Sequence, residues 1–170
     1  KEVINWTQGD VMNQFISGNI AMMVNGPWQV PTMREQAPDL NWDVTLLPKD
    51  AEYASCLGGE NFGVIDGDNV DAALDFLQFA TSKDEVASYI DDFGYIAARK
   101  DVAEGQFTDD ETMQKFTEEM QYAQPRGPHA QWPEISDALS LAVNESITGT
   151  STPADAAAKA QSTIDGILAE

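Results

Sequence analysis

Between Val11 and Trp28 the apolar pattern of this chain changes from helical spacing to a continuous run and then to a turn. Val11, Met12, Phe15 and Ile16 recur on one side of a helix, and Gly18 suits the left-handed position that closes one. The five apolar residues 20–24 read as a short buried strand. Asn25-Gly26-Pro27 turns the chain, and Pro27 presets the backbone for a new helix. Helix, strand and turn in such quick succession imply α/β layering, in which each apolar face is covered by another element. Trp28 arrives just beyond the end of the strand, at the rim where ligands bind sheets with helical connections.

Further helices announce themselves by their caps. Ser82-Lys83-Asp84-Glu85 and Thr108-Asp109-Asp110-Glu111 fit the reciprocal capping box, and Thr152-Pro153-Ala154-Asp155 resembles it with Pro at the first helical position. Apolar residues at helical spacing follow each cap: Val86, Tyr89, Ile90 and Phe93; Met113, Phe116 and Met120; Ala157, Ala160, Ile164, Ile167 and Leu168. Asn69 opens another helix with Val70, Ala73, Leu74, Leu77 and Ala80 inward, and Pro133 begins one that Gly149 ends. Strands are expected at 20–24, 44–47 and 62–65, with a short extended piece at 95–98. Helices outnumber strands, so the expectation is a helix-rich α/β fold.

Charge excludes several classes of partner. With 29 acidic and 9 basic residues the chain carries −20 at pH 7. Such a surface repels phosphate backbones and anionic headgroups, so nucleic acid is not an expected partner; the plainest role of the charge is solubility. No apolar run reaches the ~20 residues of a membrane span. The single cysteine, Cys56, excludes an internal disulfide and a Cys-based zinc site.

Most catalytic patterns fail at the residues themselves. Asp66-Gly67-Asp68-Asn69-Val70-Asp71 hints at a calcium loop, but Val70 and Leu77 fall where oxygen ligands are needed, so no metal is expected. A helix N-terminus accounts for those acids. Cys56 and His129 would suit a thiolate–imidazole pair, yet nothing local marks an activated thiol, and a lone Cys beside Leu57 reads as buried and inert. Gly58-Gly59-Glu60 lacks the Lys and Ser/Thr of a phosphate loop. Glu60 and Glu134 are the candidates for the paired acids of a glycosidase; each has a duller role, in a turn or in a helix's first turn.

What a sugar site needs is present. Sugar rings offer apolar C–H faces to aromatics and hydroxyls to planar polar groups. Trp28 supplies the aromatic surface, though its body would equally fill a core. Gly58-Gly59 permits close backbone approach, and Glu60-Asn61 adds acceptor and amide groups, unless these only satisfy a turn. The loop 126–133 supplies Arg126, His129 and Trp132. Against these stand the solvated roles of loop charges and a staple role for Trp132 before Pro133. Trp6 and Trp42 read as packing residues.

The order of these features resembles the extracellular solute-binding proteins of carbohydrate ABC importers, the group that includes maltose-binding protein. The resemblance rests on the helix ending near Gly18, the apolar run, Asn25-Gly26-Pro27-Trp28, Val44-Thr45-Leu46-Leu47-Pro48, Gly58-Gly59 and the closing helices. It implies a periplasmic-binding-protein-like fold of two lobes, of which this chain would be the C-terminal portion. Residues 1–61 and 106–170 would belong to the C-terminal lobe, and 62–105 would cross into the N-terminal one. It implies no enzyme and no cofactor, but non-covalent capture of a carbohydrate, an oligosaccharide by preference, and docking on the importer's membrane subunits. The implied location is extracytoplasmic, with lipid anchoring through an upstream segment. Ligand-binding residues implied or suggested are Trp28, Gly59, Glu60, Asn61, Arg126, His129 and Trp132. One position departs from maltose-binding protein: Ser136 stands where that protein's helix carries a stacking aromatic, with Trp132 one turn earlier. Maltose itself is therefore not implied. The rivals are a secreted carbohydrate-active enzyme using Glu60 and Glu134, and a sugar sensor.

Overall fold

The structure, a computed structural model, describes residues 2–169. In chain order the elements are α1 (Gln8–Ile16), α2 (Val30–Gln36), β1 (Ser55–Leu57), α3 (Val70–Ala80), α4 (Lys83–Tyr89) and α5 (Lys100–Ala103). They continue with α6 (Glu111–Glu119), β2 (Ala123–Pro125), α7 (Trp132–Thr148) and α8 (Pro153–Leu168). Single 3-10 turns lie at Glu2–Asn5, Pro27–Gln29 and Met120–Tyr122. Two compact units divide the chain, one of Met12–Pro125 and one of Lys1–Val11 with Arg126–Glu170.

In the Met12–Pro125 unit the apolar stripe of α1 finds its cover in α2. Met12, Met33 and Ala37 are buried together, with Phe15, Ile16, Met23, Leu40 and Trp42 packed against them. Each large side chain buried there stabilises by roughly 1.5–3 kcal/mol, and Trp42 serves packing as its sequence position suggests. A second cluster joins α4 to α5 through Val86, Ala97 and Val102, flanked by Tyr89 and Ile90. Arg34 of α2 grips Asp110 through two parallel hydrogen bonds of 2.7 and 2.8 Å.

That grip moves a helix start. The sequence places the cap of α6 at Thr108, but the Asp110 carboxylate accepts from the Met113 N–H at 3.1 Å, and α6 begins at Glu111. Thr108 instead offers its carbonyl to the Gln114 amide. Ser82 and Thr152 cap α4 and α8 as their sequences suggest, accepting from the N–H groups of Glu85 and Asp155.

The strands differ most from expectation. Among the described residues the sheet is one parallel pair, β1 with β2, in which Cys56 lies opposite Gln124. The apolar segments 20–24, 44–47 and 62–65 are not strands. A strand needs a neighbour for its N–H and C=O groups, and no described segment pairs with these. Several of their side chains lie open, Met22 at 85% exposed, Val24 at 77% and Ile65 at 91%, whereas Met23 packs on the α1–α2 cluster and Val44, Leu46 and Leu47 are half-buried. Cys56 is also exposed rather than buried, because β1 has one partner and no covering layer on that side chain. Beside this pair Tyr53 and Tyr122 meet at 4.8 Å between ring centroids, and Lys49 Nζ sits 4.5 Å above the Tyr53 ring.

In the other unit α7 and α8 form a helical hairpin, burying Ile135, Ala156 and Ala160. Small residues on α8 let the helices approach closely, and Lys159 of α8 pairs with Glu145 of α7 at 2.7 Å. An open trough of about 290 Å³ runs along this hairpin, lined by Glu134, Asp137, Leu141, Glu145, Lys159 and Thr163 among others. Among the described residues no helix is long and apolar enough to cross a membrane.

Candidate functional site

Trp28 lies in the 3-10 turn Pro27–Gln29. The turn is built by local bonds: the Asn25 side-chain oxygen accepts from the Gly26 N–H at 3.0 Å, and the Gly26 carbonyl accepts from Gln29 N–H at 3.1 Å. Gly26 itself is extended, with φ −108° and ψ 170°, so no unusual backbone angle demands a glycine. The demand is steric. A Cβ on Gly26 would fall on the six-membered ring of Trp28, which lies against the bare backbone.

Tyr95 stands beside this indole, with ring centroids 5.9 Å apart and planes tilted by 34°. Both residues are 37% exposed. Gly94 brings the second ring in. Its φ of +67° is a left-handed value, and a Cβ there would meet the Pro27 carbonyl oxygen at 2.8 Å and Pro31 Cδ at 2.9 Å. Only a glycine allows the loop to lie this close to the turn that carries Trp28. Gln106 then holds the loop from the other side. Its amide nitrogen donates to the Asp91 carboxylate at 2.5 Å and to the Tyr95 carbonyl at 3.1 Å, and its oxygen accepts from Ala97 N–H at 2.7 Å.

The remaining expected residues occupy other places. Gly59, Glu60 and Asn61 follow β1 in an exposed stretch without regular structure. Nothing lies within 4 Å of a Cβ built on Gly59, and among the described residues no protein group bonds the Glu60 or Asn61 side chains. In the other unit Arg126 is exposed. His129 works locally: its Nδ1 accepts from Gln131 N–H at 3.2 Å at the start of α7. Trp132 is the half-buried first residue of α7, and its N–H donates to the His129 carbonyl at 3.0 Å.

Glu60 and Glu134 lie in different units, and both are exposed. Neither has the apolar enclosure that the general acid of a glycosidase uses. Among the described residues no three His, Cys, Asp or Glu side chains gather as a metal site would require.

Sequence reasoning picked out Trp28 and missed Tyr95, Gly94 and Gln106. One local signal was available. Gly94-Tyr95 repeats the pattern of a glycine delivering an aromatic after a helix or run, as Gly26-Pro27-Trp28 does. What joins the two is separation in sequence, which no local rule reads.

Comparison with known proteins decides the family. Residues 1–115, well over half of the chain, match the model of the bacterial extracellular solute-binding proteins. The chain belongs to this family. Proteins of Brucella abortus (strain 2308 and biovar 1 strain 9-941) and of Brucella suis biovar 1 are similar to it, each 28% identical over 166 residues. Those relatives are provisionally described as binding proteins, with no solute stated. The alignment covers 93% of this chain and 40% of each relative, so the chain spans well under half of their length. The Trp28 turn and the Tyr95 loop both lie inside the segment matched to the family.

Proposed function

We propose that this solute-binding chain serves an ABC importer and captures a carbohydrate without changing it. The observation that carries the reading is Trp28: an indole left 37% exposed and fixed against Gly26, beyond a Gly-Pro turn, in a chain of a solute-binding family. An aromatic held in this way presents a rigid apolar face at small conformational cost, which is what the C–H face of a pyranose needs. Gly59, Glu60 and Asn61, with Arg126, His129 and Trp132, are the proposed complement that meets sugar hydroxyls and a second ring face. Their exposed polar groups have the donor and acceptor chemistry for it.

The proposed organisation is two-lobed. Residues 1–61 and 106–170 serve the C-terminal lobe of a periplasmic-binding-protein-like fold, and 62–105 cross toward the other, with Gly94 and Tyr95 staying against the Pro27–Trp28 turn. Apolar segments 20–24 and 62–65 without a ladder partner support it, since such residues are otherwise costly to leave in water. Ligand then acts by differential affinity, favouring a closed form that docks on the importer's membrane subunits. The proposed setting is extracytoplasmic, with a lipid anchor.

A glycan array probed with the full chain, followed by calorimetry on the best hit, tests the reading. Binding to a defined glycan, lost on Trp28→Ala and leaving the sugar chemically intact after long incubation, is expected. Cleavage of the bound glycan would replace the importer reading by the Glu60/Glu134 enzyme. Binding only to peptides or free ions would end the carbohydrate reading.

A further inference from the structure

We propose that Tyr95 is a second ligand-contacting ring, forming with Trp28 a preset platform for two adjacent pyranose units, so that the site selects linked sugars over monosaccharides. The inference rests on the carbohydrate reading above and adds a residue and a length preference to it.

Three observations carry it. The rings lie 5.9 Å apart at a tilt of 34°, an ordinary offset aromatic pairing that holds the two together. A pair serving only to fill a core would be covered, as Met33 is, yet Trp28 and Tyr95 are each 37% exposed. Among the described residues no protein group bonds the Tyr95 phenol oxygen, which leaves it for a ligand hydroxyl.

Position is fixed rather than incidental. The Tyr95 N–H donates to the Ile90 carbonyl, its own carbonyl accepts from Gln106, and Gly94 alone permits the approach to Pro27 and Pro31. Gly26 fixes the other ring from below. Two aromatic surfaces held at a tilt fit a chain of rings that bends at its glycosidic bond better than one flat ring. Because both are ordered before the ligand arrives, little conformational freedom is lost on binding. The chain carries a net charge of −20, so a neutral sugar suits its surface better than an anionic one.

The test compares mono-, di- and trisaccharides of whichever glycan the array identifies, using the full chain and calorimetry. Wild type should gain at least about 10-fold in affinity from mono- to disaccharide, as one added aromatic contact would give. Tyr95→Ala should remove most of that gain, about 10-fold for the disaccharide, and leave the monosaccharide within about 2-fold. Tyr95→Phe, which keeps the ring, should preserve the length preference. Tyr95→Leu repeats the comparison should Tyr95→Ala unfold the chain. Equal losses for all lengths, no loss at all, or a wild type that binds only monosaccharides would each overturn the two-ring platform while leaving the carbohydrate reading standing. A wild type that binds no glycan would overturn both.

Discussion

Replacing Gly26 by Ala pits two effects of opposite sign against each other, and the structure says which is larger. At φ −108° and ψ 170° an alanine is unstrained, so the change alone should stabilise by about 0.4–1 kcal/mol through the unfolded chain. Against this stands the new Cβ, which falls on the Trp28 ring. With 37% of its surface exposed, Trp28 covers about two-thirds of the ~150–250 Å² an aromatic can bury. Losing all of that burial would cost about 2–4 kcal/mol at ~25 cal/mol/Å². A displaced indole will find some new contact, so the steric cost should fall near the ~1–3 kcal/mol of other overpacked sites. The net expectation is destabilisation by about 1–2 kcal/mol, or a Tm lower by ~2–8 °C.

Trp28→Ala reverses the sign. Without the ring the collision is gone, and Gly26→Ala should then stabilise by about 0.4–1 kcal/mol. The two backgrounds thus define a double-mutant cycle with a coupling of about 1.5–3 kcal/mol. Urea unfolding followed by circular dichroism measures all four chains; fluorescence is less suitable, because Trp6, Trp42 and Trp132 also report. If Gly26→Ala stabilises equally with and without Trp28, the indole is not resting on Gly26 and the fixed platform is wrong.

Gly94→Ala should be worse than Gly26→Ala, costing about 2 kcal/mol or more, because it combines a left-handed φ with two backbone and proline collisions; thermal melts with an Ala control at exposed Gly63 check it. Thr152→Ala should cost about 1 kcal/mol by removing the cap that accepts from Asp155 N–H, and Thr152→Ser should restore most of it. The Arg34 guanidinium, through its paired hydrogen bonds, holds the Asp110 carboxyl below the usual carboxylate range, with the Met113 N–H adding to the effect. A carboxyl whose folded pKa is depressed contributes stability above its unfolded value of ~3.9 and loses it as pH falls through the folded one. Arg34→Met should therefore cost about 1 kcal/mol at neutral pH, a modest figure because the pair is partly exposed. That cost should shrink as pH falls below ~4; a difference between the two chains that stays constant from pH 7 to 2.5 would remove Asp110 from the acid limb.

What sequence could and could not reveal follows from the range of each interaction. Ser82 and Thr152 were legible as caps because cap and capped N–H lie three residues apart. Asp110 was not, although it too caps locally, because Thr108 satisfied the same pattern and the deciding partner, Arg34, lies 76 residues away. Apolar runs at 20–24 and 62–65 carried the composition of strands, but composition states only that a segment wants cover; pairing belongs to the neighbour, and the ladder formed instead at 55–57 and 123–125. The same asymmetry governs the site. Gly26-Pro27-Trp28 is contiguous, so its turn and its aromatic were visible together, and the need for glycine at 26 was half visible, as a turn rather than as a seat for the ring. Gly94 closes a turn just past the end of α4, its N–H bonding the Asp91 carbonyl. Its second role, admitting Tyr95 to the side of Trp28, exists only because the chain returns to that turn after more than sixty residues. A glycine with two independent reasons is the position where substitution should be least tolerated, and Gly94 meets that condition more fully than Gly26, whose backbone angles any residue could adopt.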